Sequence, residues 1–104
     1  MNHTKQELIQ EIIGLSKGHK DYINNITSDY KKNCDVITYY IRTKQDVLSK
    51  ETDKDKRSFI LSEIELNNKE LATLTSTYNA DLEIARATFT AQVAEKINNA
   101  IELL

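Results

Sequence analysis

Glu51-Thr52-Asp53-Lys54-Asp55-Lys56 is charged at every position except Thr52 and holds no apolar side chain. It cannot face a core and reads as the one clear loop of the chain. Thr52 with Asp55 offers a capping box and Asp53 an alternative cap, with acidic groups suited to the positive end of a helix dipole. Beyond it Phe59, Ile60, Ile64, Leu71, Leu74, Tyr78, Leu82, Ala85, Phe89, Val93, Ile97, Ala100 and Leu104 trace one stripe at helical spacing. Asn67 occupies the single long gap in that stripe. Nothing interrupts the pattern, so it predicts a helix over Asp55–Leu104.

Upstream of the loop, Thr4 followed by Glu7 is a capping box that starts a helix near Lys5. Leu8, Ile9, Ile12, Ile13 and Leu15 then keep helical spacing as far as Gly18-His19-Lys20, where a C-cap and turn would fit. The pattern resumes through Tyr22, Ile23, Ile26, Tyr30, Cys34, Ile37, Ile41 and Leu48, reaching about Lys50. Length discriminates between the two resulting architectures. A helix over Asp55–Leu104 measures roughly 75 Å, whereas one from Tyr22 to Lys50 covers only about 45 Å. If the chain stays helical through Gly18, the stripe Leu8, Ile12, Leu15, His19, Tyr22, Ile26 keeps its three-four steps and the helices match. The sequence therefore predicts an all-α protein: a long antiparallel hairpin of Lys5–Lys50, kinked or broken near Gly18, and Asp55–Leu104. The alternative is a three-helix bundle in which Lys5 to Lys17 folds back over the far end of the last helix.

Composition agrees with one helical domain over residues 1–104. Proline is absent and glycine occurs twice, too seldom for a chain of hairpin turns, and the residues present are largely helix formers. Hydrophobic residues make up 39% and charged residues 29%, which implies a thin seam rather than a thick core. A formal net charge of −2 predicts no dedicated nucleic-acid or anionic-membrane partner. Cys34 is the single cysteine, so no intramolecular disulfide forms, and a reducing, cytoplasmic setting is expected. Glu7 and Gln10 interrupt the apolar pattern at the start, which does not read as a signal peptide, and no apolar run approaches a bilayer span. Without a secretory signal the triplets Asn2-His3-Thr4 and Asn25-Ile26-Thr27 read as chance.

No catalytic, cofactor or metal motif emerges. His3 and His19 are the only histidines, and no Glu-x-x-His or His-x-x-x-His pair is present to hold a metal on one helical face; His19 reads as a capping or partly solvated residue at the Gly18 break. Acid pairs such as Glu7 with Glu11 or Glu63 with Glu65 lack an evident pocket or activated partner, and Cys34 falls on the apolar stripe as a small hydrophobe. The expectation is a non-enzymatic protein.

What the sequence offers instead is surface for other helices. Ile9, Ile13, Val36, Tyr40, Val47, Leu61, Leu66, Ile84, Ile101 and Leu103 lie off the main stripe, more than one seam can bury. Self-association follows as an expectation: a homodimer of hairpins forming a four-helix bundle, with Ile12, Ile26, Tyr30, Ile37, Ile41, Leu71, Tyr78, Leu82, Phe89 and Val93 as the candidate oligomer seam. The region Ala72 to Ala94 is short of charge and rich in Ala, Thr and Ser. Thr73, Ser76, Thr77, Ala80, Ile84, Ala87, Thr88 and Ala91 therefore form a candidate partner-binding face. An alternative nucleic-acid face uses Lys31, Lys32, Arg42 and Lys44 near tyrosines, although Asp21, Asp29, Asp35 and Asp46 dilute it.

The functional expectation is a small helical interaction module, whether inhibitor, adaptor or assembly or secretion accessory factor. Encoding by a phage or mobile element is compatible with it, and a structural coiled-coil subunit of a filament or virion is a further alternative. The size and symmetric hairpin are similar to the small helical proteins of bacterial specialised secretion. That likeness is one of architecture: the loop reads Thr52-Asp53-Lys54-Asp55 where that family carries a tryptophan-x-glycine turn, and the proline-bearing turn of secretion needle subunits is absent too.

Overall fold

A computed structural model describes residues 4–103; Asn2, His3 and Leu104, named above, lie outside the described residues. Two long helices form a hairpin, α1 (Lys5–Lys50) and α2 (Lys54–Glu102), with no strand among the described residues. α1 opens on the expected box: the Glu7 amide donates to Thr4 Oγ1 at 3.1 Å and the Thr4 amide to Glu7 Oε2 at 3.3 Å.

α1 then runs without a break through Gly14 and Gly18, and neither glycine has a positive φ. Of the kink or break expected near Gly18, the break is not there, and Lys5 to Lys17 continues the helix of the favoured hairpin, not folding back as in the alternative. The physical reason is local. Glycine in a helix costs about 1 kcal/mol relative to alanine, while its neighbours Leu15 and His19 both turn into the seam, His19 stacked on Phe89 with ring centroids 4.4 Å apart. His19 is thus a seam residue, not a cap.

The connection is shorter than the charged stretch suggests, spanning residues 51–53. Asp53, rather than Thr52, is the cap of α2: its Oδ1 accepts from the Asp55 amide at 3.0 Å and its carbonyl from the Arg57 amide at 2.9 Å. Asp53 thereby starts the helix at Lys54, not Asp55. Glu51 Oε1 accepts from the amides of Thr52 and Asp53, so the Thr52 amide bonds to Glu51 where a Thr52–Asp55 capping box would have it bond to Asp55. Arg57 Nη1 donates to the carbonyls of Leu48 and Glu51, at 2.7 and 2.8 Å, placing a cation on the negative end of α1. At the far end α2 stops at Glu102, with the Leu103 amide donating to Ala100 O.

Packing divides the chain into two compact units, Thr27–Tyr78 and Met1–Ile26 with Asn79–Leu104. In Thr27–Tyr78 the seam of α2 steps through Arg57, Ile60, Ile64, Asn67, Leu71, Leu74 and Tyr78, alternating three and four residues. Ile41 and Ile64 are buried apolar residues, and Asn67 is a buried polar one. Tyr30 and Tyr78 stack with centroids 4.2 Å apart, and each hydroxyl reaches a threonine of the opposite helix: Tyr30 to Thr75 at 2.8 Å, Tyr78 to Thr27 at 2.7 Å.

In the other unit the seam of α2 steps through Leu82, Ala85, Phe89, Val93, Lys96 and Ala100, so that positions recur every eleven residues. Leu8 and Ala85 are buried there, and Lys96 pairs with Glu11 across the seam at 3.0 Å.

Three residues placed on the stripe by spacing are turned outward: Tyr22, Phe59 and Ile97 are 50%, 66% and 46% exposed. In each case an adjacent residue takes the seam. Ile23 replaces Tyr22, Ile60 replaces Phe59, and the aliphatic stem of Lys96 replaces Ile97.

Candidate interaction surfaces

The described residues bury little. Leu8, Ile41, Ile64 and Ala85 are the buried hydrophobic residues, while large apolar side chains are exposed along both helices. All ten off-stripe residues named from the sequence, from Ile9 to Leu103, are among them. The reason is geometric: a helix with a single neighbour covers one stripe, and residues about 100° away from it remain in solvent.

The ten residues of the candidate oligomer seam lie where the chain's own helices meet. Ile41 is buried and Ile12, Ile26, Tyr30, Ile37, Leu71, Tyr78, Leu82, Phe89 and Val93 are half-buried. Cys34 is half-buried on the same stripe.

The candidate partner-binding face is exposed throughout. In Thr27–Tyr78 this covers Thr73, Ser76 and Thr77, and in the other unit Ala80, Ile84, Ala87, Thr88 and Ala91. Each unit sets part of it beside a groove. In Thr27–Tyr78 a groove of about 540 Å³ is lined by Val36 and Ile37 of α1 and by Leu66, Thr73, Leu74 and Thr77 of α2, with Lys69 and Glu70 at its edge. In the other unit a groove of about 740 Å³ is lined by Gly14, Gly18 and Tyr22 of α1 and by Ile84, Ala85 and Thr88 of α2.

Sequence reasoning missed the two glycines as groove residues, having weighed Gly18 only as a kink or break in the helix. Their four-residue separation, which puts both on one helical face, is the signal that points to them. A Cβ built at either position meets nothing within 4 Å, so the backbone itself forms the floor there.

Of the alternative nucleic-acid face, Lys31, Lys32 and Arg42 are exposed, whereas Lys44 is half-buried and engaged by α2. Its ammonium donates to Asn67 Oδ1 at 2.6 Å and lies 3.4 Å from Glu63 Oε2. Lys44 fills the gap between Ile41 and Leu48 on α1, Asn67 fills the gap on α2, and the two gaps meet as one polar layer. Asn67 Nδ2 in turn donates to Glu70 at 3.4 Å.

Among the described residues no three His, Cys, Asp or Glu side chains gather as a metal-binding group would require. No described helix is long and apolar enough to cross a membrane. Comparison with family models, curated proteins and solved structures finds no match.

Proposed function

We propose that this chain is a non-enzymatic protein–protein interaction module that works by helix packing: it pairs with itself, as two hairpins in a four-helix bundle, and presents an Ala/Thr-rich surface of α2 to a second protein. The observation that carries this reading is the imbalance, among the described residues, between four buried hydrophobic residues and the long series of exposed Ile, Leu, Val, Tyr and Phe side chains. Apolar surface of that extent on both helices is what a further layer of helices covers. Inhibition, adaptor work or assembly of a larger machine all use such a surface, and a small phage or mobile-element product acting in the host cytoplasm fits the same description.

Light scattering behind a sizing column tests the first half. A mass near twice 12.0 kDa, held across a concentration series, is expected. A mass of one chain at every concentration would overturn self-pairing. The second half predicts that Ala80→Glu with Ala87→Glu leaves the dimer mass and helix content unchanged while abolishing capture of the partner protein; retained capture would remove this face from the proposal.

A further inference from the structure

Two segments that meet in the seam also match in sequence. Thr27-Ser28-Asp29-Tyr30 on α1 and Thr75-Ser76-Thr77-Tyr78 on α2 share threonine, serine and tyrosine at the same places, 48 residues apart. That separation also relates Thr4-x-x-Glu7 to Thr52-x-x-Asp55, Ile23 and Ile26 to Leu71 and Leu74, and Asp35-Val36 to Glu83-Ile84. The helices themselves are nearly equal in length, at 46 and 49 residues. Apolar stripes alone would not single out one separation, because a stripe fits itself again after roughly every seven residues. The hydroxyl-bearing residues and the acids at the helix starts do.

The contacts repeat in the same way. Within Thr27–Tyr78 the Tyr30 and Tyr78 rings stack at 4.2 Å, 6° from parallel. The Tyr30 hydroxyl meets Thr75 at 2.8 Å and the Tyr78 hydroxyl meets Thr27 at 2.7 Å. Each tyrosine lies against its counterpart and bonds to the threonine one helical turn before it. Exchanging α1 for α2 leaves this set of contacts unchanged, which is the signature of two like surfaces meeting about a two-fold axis. An apolar seam does not require these hydroxyls, since the neighbouring steps are Ile26, Leu71 and Leu74. The crossing is a contact that a Thr-x-x-Tyr helix makes with another of its own kind running the opposite way.

We infer that α1 and α2 are two copies of one helical repeat, and that Thr-x-x-Tyr is the element by which each copy recognises the other in antiparallel register. Neither copy can bury its stripe alone, and the partner that fits it is a second copy, supplied here by the same chain. Other layers of the repeat have diverged. Gln92 is the counterpart of Lys44 and His19 that of Asn67, so one layer holds the Lys44–Asn67 hydrogen bond and the other the His19–Phe89 stack. The inference concerns the chain's own helices and does not rest on the self-pairing proposed above.

Two double-mutant cycles in urea unfolding test the element on the full chain: Tyr30→Phe with Thr75→Val, and Tyr78→Phe with Thr27→Val. Each pair is expected to couple, changing the folding equilibrium about 5-fold beyond the product of its single variants, and the two factors should agree to within a factor of about two. Coupling in one pair alone, or in neither, would overturn the reciprocal element. A second chain tests the repeat itself, with residues 4–51 replaced by a copy of residues 52–99. Helix content near that of the natural chain and a single urea transition are expected, and Tyr78→Phe in one copy should move that transition to lower urea. A transition that Tyr78→Phe leaves in place would overturn the role of the tyrosine. The same chain with Asn67→Leu in both copies removes the altered polar layer as a cause of misfolding. Absence of cooperative unfolding in both forms would overturn the repeat.

Discussion

Thr27–Tyr78 and the unit of Met1–Ile26 with Asn79–Leu104 are built from the same two helices, yet their seams differ in kind. In the first, apolar contact is reinforced by hydrogen bonds that cross between helices: Lys44 to Asn67, Tyr30 to Thr75, Tyr78 to Thr27, and the Arg57 clamp on the end of α1. In the second, the His19–Phe89 stack and the Glu11–Lys96 pair cross between the helices, and α1 carries both of its glycines there. Polar groups inside a seam fix which residues face each other, because a shifted register would strand them. The unit that contains the turn therefore specifies the register through polar contacts, while the other joins its helices by a ring stack and an ion pair beside two glycines.

The largest test of this contrast is core truncation. Ile41→Ala and Ile64→Ala are each expected to lower stability by about 2–4 kcal/mol in urea unfolding. Leu8→Ala removes a side chain only 1% exposed, yet it lies near the open end, where local unfolding precedes the global event. Its expected signature is faster amide exchange over residues 5–26 with a smaller shift of the urea midpoint. Equal global losses for Leu8→Ala and Ile64→Ala would break the contrast.

A middle-sized test addresses the polar layer. Asn67→Ala deprives the Lys44 ammonium of its 2.6 Å acceptor while Glu63 stays nearby, so a loss of about 1–2 kcal/mol is expected. Lys44→Met combined with Asn67→Leu makes the layer apolar and should restore or raise stability. If register is what the layer supplies, the double variant pairs its helices less uniquely, seen as broadened amide resonances. Sharp, wild-type-like spectra would show that the apolar seam fixes the register without it. Asp53→Ala comes next, with about 1 kcal/mol lost from the cap of α2.

Much of this was legible in the residues themselves. The capping box at Thr4 and Glu7, the charged turn and the matched stripes lead to two helices of 46 and 49 residues because each signal is local. The off-stripe apolar residues were legible as exposed because a two-helix seam has room for one row per helix. What spacing could not resolve was the choice between adjacent apolar residues. Tyr22 against Ile23, and Phe59 against Ile60, is a difference of one position, set by the opposite helix. The polar residues on the stripe were equally hidden. Lys44 looks like a solvated cation until its place opposite Asn67 is known, and Lys96 displaces Ile97 because Glu11 waits across the seam. Gly18 was legible in part: propensity marks it as a weak point, the matched helix lengths favour continuation, and packing by Leu15 and His19 shows that the helix runs on unbroken.

The smallest effect bears on that last point. Gly18→Ala adds a methyl group that meets nothing within 4 Å in the folded chain and removes the extra backbone freedom that glycine has when unfolded. The expected result is a gain of about 0.5–1 kcal/mol, measured in dilute solution where single chains dominate. The gain should come with slower amide exchange over residues 5–26 and little change near the turn, which narrows the difference between the units. A loss of stability in dilute solution would mean that the space over Gly18 is filled within the single chain, and that the floor of the groove is not open there.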